Sequence, residues 1–222
     1  MSRREDAKAE RRHRIVTAAR DLIRETGDTG LSMRAIAARA GVSLSTPYNL
    51  FGSKRAIVLA VLEDIEEFYE RFSKLKSDSA LDRIFQALSL SISYYVDDPD
   101  FYRTLWTGLF DMTGKEVRSA LAQPERGAFW MSLVNGASAE GAFLPEIDTR
   151  LLLRSLDLTF GAVMLNWVLG ALSVEELEPA AAYGYALTLR GAATDTARAG
   201  LAGRIEDYQA KLLKLRRRAV AA

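Results

Sequence analysis

Apolar residues at Ile15, Ala18, Ala19, Leu22 and Ile23 recur at i, i+3, i+4, i+7 and i+8, which lines them along one face of a helix. Gly27 predicts the end of that helix. After the turn GDTG, Ser32 is an expected N-cap, and Met33, Ile36, Ala37 and Ala40 form the buried face of a two-turn helix that stops at Gly41. Ser43 is a candidate cap for a third short helix running to Leu50 or Phe51. Ser53 caps a longer one from Lys54, striped by Ile57, Val58, Val61, Leu62, Ile65, Phe68 and Phe72. Downstream the same period predicts helices at 79–96, stopped by DDP; at 99–111, opened by Pro99; at 115–140, with Pro124 as a candidate break; and at 148–173, 176–199 and 201–218. No segment alternates with period two for long and no internal repeat occurs, so the expected class is all-α, with about nine to ten helices. The expected division is a head at 1–53, a connector helix at 54–76 and a larger body at 77–222.

Charge changes this picture. Residues 1–55 carry 12 Lys or Arg against 6 Asp or Glu, a net of +6, while residues 56–222 carry 18 against 23, a net of −5. A basic head on an acidic body suits a protein whose head alone must approach a polyanion. There are no cysteines and a single histidine, His13, so thiolate zinc sites, cysteine nucleophiles and multi-histidine metal sites are excluded, and no metal or cofactor is expected. The charged N-terminal stretch lacks the apolar core of an export signal, and the uncharged run Leu158 to Val174 falls short of a typical membrane span. A cytoplasmic protein without a membrane partner is expected. No glycine-rich phosphate loop and no nucleophile with an identifiable base is present, which argues against an enzyme.

The stretch GVSLSTPYNLFGSKRAI, from Gly41 to Ile57, is rich in small hydroxyl residues between two amphipathic segments. Two short helices joined by a tight glycine turn make a helix-turn-helix, whose second helix enters the major groove of DNA. Short side chains let that helix approach closely: Ser43, Ser45 and Thr46 offer hydroxyls to phosphates and base edges, Tyr48 a phenol to a phosphate, and Asn49 an amide able to read adenine. Lys54 heads the next helix, placed for a phosphate. Pro47 leaves the register open: a cap at Ser43 puts it inside the first turn, a cap at Ser45 or Thr46 nearer the position proline prefers.

From about Ile15 to Val61 the chain resembles the DNA-binding domain of the TetR family of bacterial transcriptional regulators. The resemblance lies in the first helix ending at Gly27, in GLSMRAIAARAGVS, and in STPYNLFGSKRAI, which is similar to the family's Thr-x-Tyr-x-x-Phe-x-x-Lys spacing. Pro47 and Leu50 depart from it, where the family more often has an apolar and an aromatic residue. The resemblance implies that Thr46, Tyr48 and Lys54 hold phosphates, that Ser45 and Asn49 read bases, and that Phe51 is core. Ser43 either caps or contacts DNA, and Ser32 and Arg34 reach the backbone. Arg3, Arg4, Arg11 and Arg12 are either an arm along the DNA or a solvated tail.

One helix-turn-helix covers too few base pairs to select a site, so two copies are needed. The resemblance implies a homodimer through helices at about 148–173 and 176–199, where Gly161, Ala162 and Gly170 would permit close approach; a monomer with an internal helix at 148–173 is the alternative. It also implies a small-molecule pocket in the body, for which the aromatic-rich set Tyr94, Phe101, Tyr102, Trp106, Phe110, Trp130 and Trp167, with Asn166 as an orienting group, are candidates. The expected function is a repressor that binds a palindromic operator in double-stranded DNA and is released by a small apolar or aromatic effector. An accessory DNA binder without an effector is the competing reading.

Overall fold

The structure is a computed structural model that describes residues 3–62, 66–77, 79–110 and 124–221. Its helices are α1 (Arg3–Thr26), α2 (Met33–Arg39), α3 (Ser45–Phe51), α4 (Lys54–Leu62), α5 (Glu66–Lys74), α6 (Ala80–Asp97), α7 (Pro99–Phe110), α8 (Pro124–Ala139), α9 (Thr149–Val168), α10 (Leu177–Ala192) and α11 (Asp195–Ala221). Among the described residues the sole β-type pairing is an isolated bridge between Phe143 and Ala193. The fold is all-α.

The chain forms two compact units, Met1–Glu67 with Asp98–Leu121, and Phe68–Asp97 with Ala122–Ala222. The first is built on the stripe seen in the sequence. Ile15, Ala19 and Ile23 of α1 meet Ile36 of α2 and Ile57 and Val61 of α4 in one apolar core, which also takes in Phe101 and Leu105 of α7. Two side chains fasten α7 to α1. Arg24 pairs with Asp98 at 3.1 Å, and its guanidinium lies 4.6 Å from the Phe101 ring centroid. Near the other end of α7, a Cβ on Gly108 would come within 2.7 Å of the Thr29 hydroxyl, so only glycine permits this approach.

The first helix begins far earlier than its apolar stripe. Arg3 to Arg14 is helical rather than a disordered tail, and most of its side chains face solvent. Its composition explains this: Ala, Glu, Lys and Arg are strong helix formers, and Glu5 and Asp6 sit in the first turn, where the helix dipole favours negative charge.

In the second unit, α10 packs against both α9 and α11, and α6 packs against α8 and α10. Three boundaries differ from the expectation, each through contacts remote in sequence or local backbone. The helix expected to reach residue 173 ends at Val168, because Leu169 is its C-cap and Gly170 turns the chain at φ +76°. The break expected near Gly200 falls at Ala193, which is extended and bridges to Phe143. The Thr194 hydroxyl then donates to the Gly141 carbonyl at 2.9 Å, and α11 runs uninterrupted from Asp195. Continuity of the expected connector across 63–65, including Ile65, and the expected helix over 115–123 lie outside the described residues.

Candidate nucleic-acid interface

The helix-turn-helix is set by caps and glycines. The Ser32 hydroxyl accepts from the Ala35 amide at 3.0 Å and starts α2. At its far end the Gly41 amide donates to Ala38 and the Val42 amide to Ala37, with Gly41 at φ +64°, where a residue with a Cβ would be strained. The chain then reverses into α3.

The start of α3 settles the register that Pro47 left open: the cap is none of the candidates Ser43, Ser45 and Thr46. The helix begins at Ser45 behind Leu44, a cap residue that makes no side-chain bond. Pro47 is therefore the third helical residue, where the amide has no partner within the helix, so proline's missing N–H costs nothing. Its ring is buried. The Ser43 carbonyl accepts from the Thr46 amide at 2.9 Å, and the Ser43 hydroxyl lies 2.8 Å from that of Thr46 and 3.1 Å from that of Ser45. These three hydroxyls form one cluster, and each oxygen keeps acceptor capacity for an outside donor.

Burial divides α3 into two faces. Pro47 is buried, and Leu50 and Phe51 pack on the core of the unit; Ser45, Tyr48 and Asn49, at i, i+3 and i+4, face outward. Tyr48 is 51% exposed, unusual for a large ring that nothing covers. Arg34 and Ser32 are exposed at the start of α2, the latter with its hydroxyl engaged as the cap, and Lys54 is half-buried at the head of α4, opened by the Ser53 hydroxyl accepting from the Ala56 amide.

Not every cation of the head is available to a polyanion. Arg39 on α2 makes a two-pronged pair with Glu25, both contacts 2.8 Å. Hydrogen bonding from Arg39, reinforced by its charge, holds the Glu25 carboxyl below the usual range. Arg12 donates to the Leu50 carbonyl at 2.7 Å and lies 4.2 Å from the Phe51 ring centroid. The sequence offered Arg12 only as an arm residue.

The aromatic candidates separate between the units. Phe101 and Tyr102, edge-to-face at 5.1 Å, are part of the first unit's core region; Trp106, in the same unit, is buried with its ring 5.5 Å from that of partly exposed Phe110. Tyr94, Trp130 and Trp167 belong to the second unit. There Trp167 is fully buried with Tyr95 at 6.2 Å, the Arg71 guanidinium lies over Tyr94, and Phe129 sits among Phe68, Tyr69, Phe72 and Trp130. Asn166 faces away from Trp167 and donates to the Ala162 carbonyl at 2.8 Å.

Sequence reading passed over Tyr185, which is buried on α10. Burial, then the nearby Asp157 carboxylate, push its phenol far above the ordinary range. Asp157 is itself raised by desolvation, against the pull of Arg126 and Arg154. Nothing local marks Tyr185, because its neighbours come from α6, α8 and α9.

Helix α9 has apolar residues on two faces. Leu152, Leu153, Leu156, Met164 and Trp167 are buried within the unit, while Leu151, Leu158, Leu165 and Leu169 are 69%, 58%, 38% and 71% exposed. By length and mean hydropathy of 1.3 the helix is long enough to cross a membrane, yet it carries Arg150, Arg154 and Asp157 and packs one face against α8 and α10. Gly161 has nothing within 4 Å of a built Cβ, and Gly170 serves a turn. Within the chain, a close helix approach is at Gly184 of α10, where a Cβ would come 2.5 Å from the Thr159 methyl.

Residues 15–61 match the family model of the bacterial regulatory proteins of the tetR family. No curated protein matches the chain. Among solved structures, the full-length TetR regulator TylP from Streptomyces fradiae is 20% identical with a TM-score of 0.63, over 97% of this chain and 94% of that one. A TetR transcriptional regulator from Rhodococcus sp. RHA1 is 20% identical with a TM-score of 0.65, over 82% and 97%. The TetR-family repressor FadR of Thermus thermophilus, crystallised with lauroyl-CoA, is 18% identical with a TM-score of 0.67, over 81% and 94%. The N-terminal domain thus matches the tetR-family model over residues 15–61, and the fold of the whole chain is similar to that of these TetR regulators.

Proposed function

We propose that the protein is a ligand-responsive repressor that binds a near-palindromic operator as a homodimer, and that it is not an enzyme. The observation that carries the reading is the outward face of α3. Ser45 and Asn49 are positioned as base readers, with Thr46, Tyr48 and Lys54 as phosphate ligands and Ser32 and Arg34 as flanking backbone contacts. Phosphate contacts fix the register of such a helix and base contacts supply its specificity. The hydroxyl cluster at Ser43, Ser45 and Thr46 supports close approach, since none of its side chains is long enough to hold the helix off the groove floor.

The dimer is supported by the second apolar face of α9. Leu151, Leu158 and Leu165 recur every seven residues and Leu169 extends the row, the pattern of a helix seam between two copies. Leu187, exposed on α10, adds to it. An exposed apolar row of this kind accounts for the hydropathy of α9 without a membrane and supports dimer contacts through α9 and α10.

The effector site is assigned to the second unit, which holds the rings of Tyr94, Trp130 and Trp167 and, on α10 and its neighbours, the polar group of buried Tyr185 with Asp157 and Arg126 near it. The lauroyl-CoA complex of the Thermus repressor supports an apolar effector as a class. A ligand favouring one conformation of the body shifts the pair of heads toward a geometry that does not fit the operator.

Selection of bound fragments from a random duplex pool tests the reading. The expected product is a near-palindromic site. Recovery of no preferred duplex would overturn operator binding, and recovery of one asymmetric half would overturn the dimer. Thermal shift across a panel of apolar metabolites tests the effector: a selective rise in Tm is expected, and no response would favour an accessory DNA binder.

A further inference from the structure

We propose that Arg12 is a positioning residue for DNA reading: from α1 it grips the C-terminal end of α3 and sets the angle at which Ser45, Tyr48 and Asn49 are presented. The inference rests on the reading of α3 as the DNA-reading helix.

A helix of seven residues does not hold itself in place, since isolated helices this short are unstable in water. Its attachment decides its direction. The N-terminal end of α3 has a cap without a side-chain bond, and its last turn contains no basic residue to meet the negative end of the helix dipole. At the C-terminal end, the Gly52 amide donates to the Tyr48 carbonyl at 2.8 Å. The Leu50 carbonyl, one of those left without an intrahelical donor, receives Arg12 Nη1 at 2.7 Å across 38 residues of sequence. The same guanidinium stacks 4.2 Å from the Phe51 ring centroid. Arg12 therefore supplies from another helix the cationic cap that α3 lacks, and joins α1 to α3 outside the apolar core. Arginine suits both tasks because its flat, delocalised group stacks while its edge donates; a lysine does not reproduce the pair.

The competing role for a basic residue here is a direct phosphate contact, and salt dependence separates the two. Affinity of the full-length protein for its selected duplex is measured across a range of salt concentrations for wild type, Arg12→Met, Arg12→Lys, Phe51→Leu and the Arg12→Met/Phe51→Leu double variant. The inference predicts that Arg12→Met binds about tenfold more weakly, from loss of one charge-assisted bond and one stacking contact, with an unchanged slope of log K against log salt. It predicts that Arg12→Lys recovers only part of the loss, and that the effects of Arg12→Met and Phe51→Leu are not additive, because both break one junction. A slope shallower by about 0.9 per head in Arg12→Met would identify a phosphate contact and overturn the inference. So would binding within about twofold of wild type, or additive effects in the cycle. Circular dichroism and Tm check the fold of each variant; should Arg12→Met not fold, the slope and the loss are read from the equally uncharged Arg12→Gln by the same criteria. Failure of the wild-type protein to select any duplex would instead sink the reading of α3, and leaves a result distinct from failure of Arg12.

Discussion

Shortening Leu158 to alanine tests the dimer seam quantitatively. Leu158 is 58% exposed in the single chain, and full burial of a leucine side chain is worth about 1.5–3 kcal/mol. Covering that exposed fraction contributes roughly 1–1.7 kcal/mol per copy on the same scale, and the two-fold axis of a symmetric dimer counts it twice. Alanine retains the Cβ, which leaves a loss of roughly 2 kcal/mol per dimer, or a dissociation constant weaker by about 30-fold. Sedimentation equilibrium over a dilution series measures it. Leu44→Ala is the control, because Leu44 is comparably exposed, at 46%, but lies in the first unit beside α3. The reasoning is refuted if Leu158→Ala and Leu44→Ala dissociate alike, or if Leu158→Glu leaves the dimer intact.

Gly184→Ala should destabilise the protein by about 1 kcal/mol: the clash with the Thr159 methyl costs more than the helix propensity alanine gains. The Thr159 hydroxyl bonds to the Ser155 carbonyl at 2.9 Å, so that methyl cannot swing away freely. Adding Thr159→Ser removes the methyl and keeps the bond, and chemical denaturation should then find the double variant at least as stable as wild type. Asp157 has a folded pKa above its unfolded value, so its contribution falls as pH rises from the usual carboxylate range through the raised folded value. Asp157→Asn should flatten that part of the Tm–pH profile, by a small amount because the side chain is largely exposed; a steeper profile would contradict the raised folded value. Tyr48→Phe and Lys54→Ala should weaken all duplexes about equally, as loss of phosphate contacts does, and binding across a panel of site variants would show it.

The head was the most legible part of the chain because its signals are local. Ser32, Gly27 and Gly41 each act on backbone within a few residues, and the stripe from Ile15 to Ile23 needs only one partner surface to make sense. What stayed hidden was set by distant contacts. The end of α10 depends on Phe143 pairing with Ala193, and the place of α7 in the first unit depends on Arg24 meeting Asp98 and on Phe101 entering a core begun at Ile15. Within the single chain the tight helix contact is at Gly184, which no sequence pattern marks, since only the facing residue Thr159 decides it. The basic segment before Ile15 was read by charge alone. Its helix formers carry it into α1, and Arg12 there serves a carbonyl of α3 that no sequence pattern links to it. Of the candidate site, the α3 face followed from residue type and period, while the choice of Leu44 as its cap required the backbone.

The account rests on α3 reading bases through its outward face, and Asn49→Ala examines that most directly. Its affinity is to be measured against the selected operator and every single-base variant of one half-site. The account predicts that discrimination collapses at one position, by about 1–3 kcal/mol, and persists at the others. A uniform loss across all variants, or an unchanged preference at every position, would contradict it.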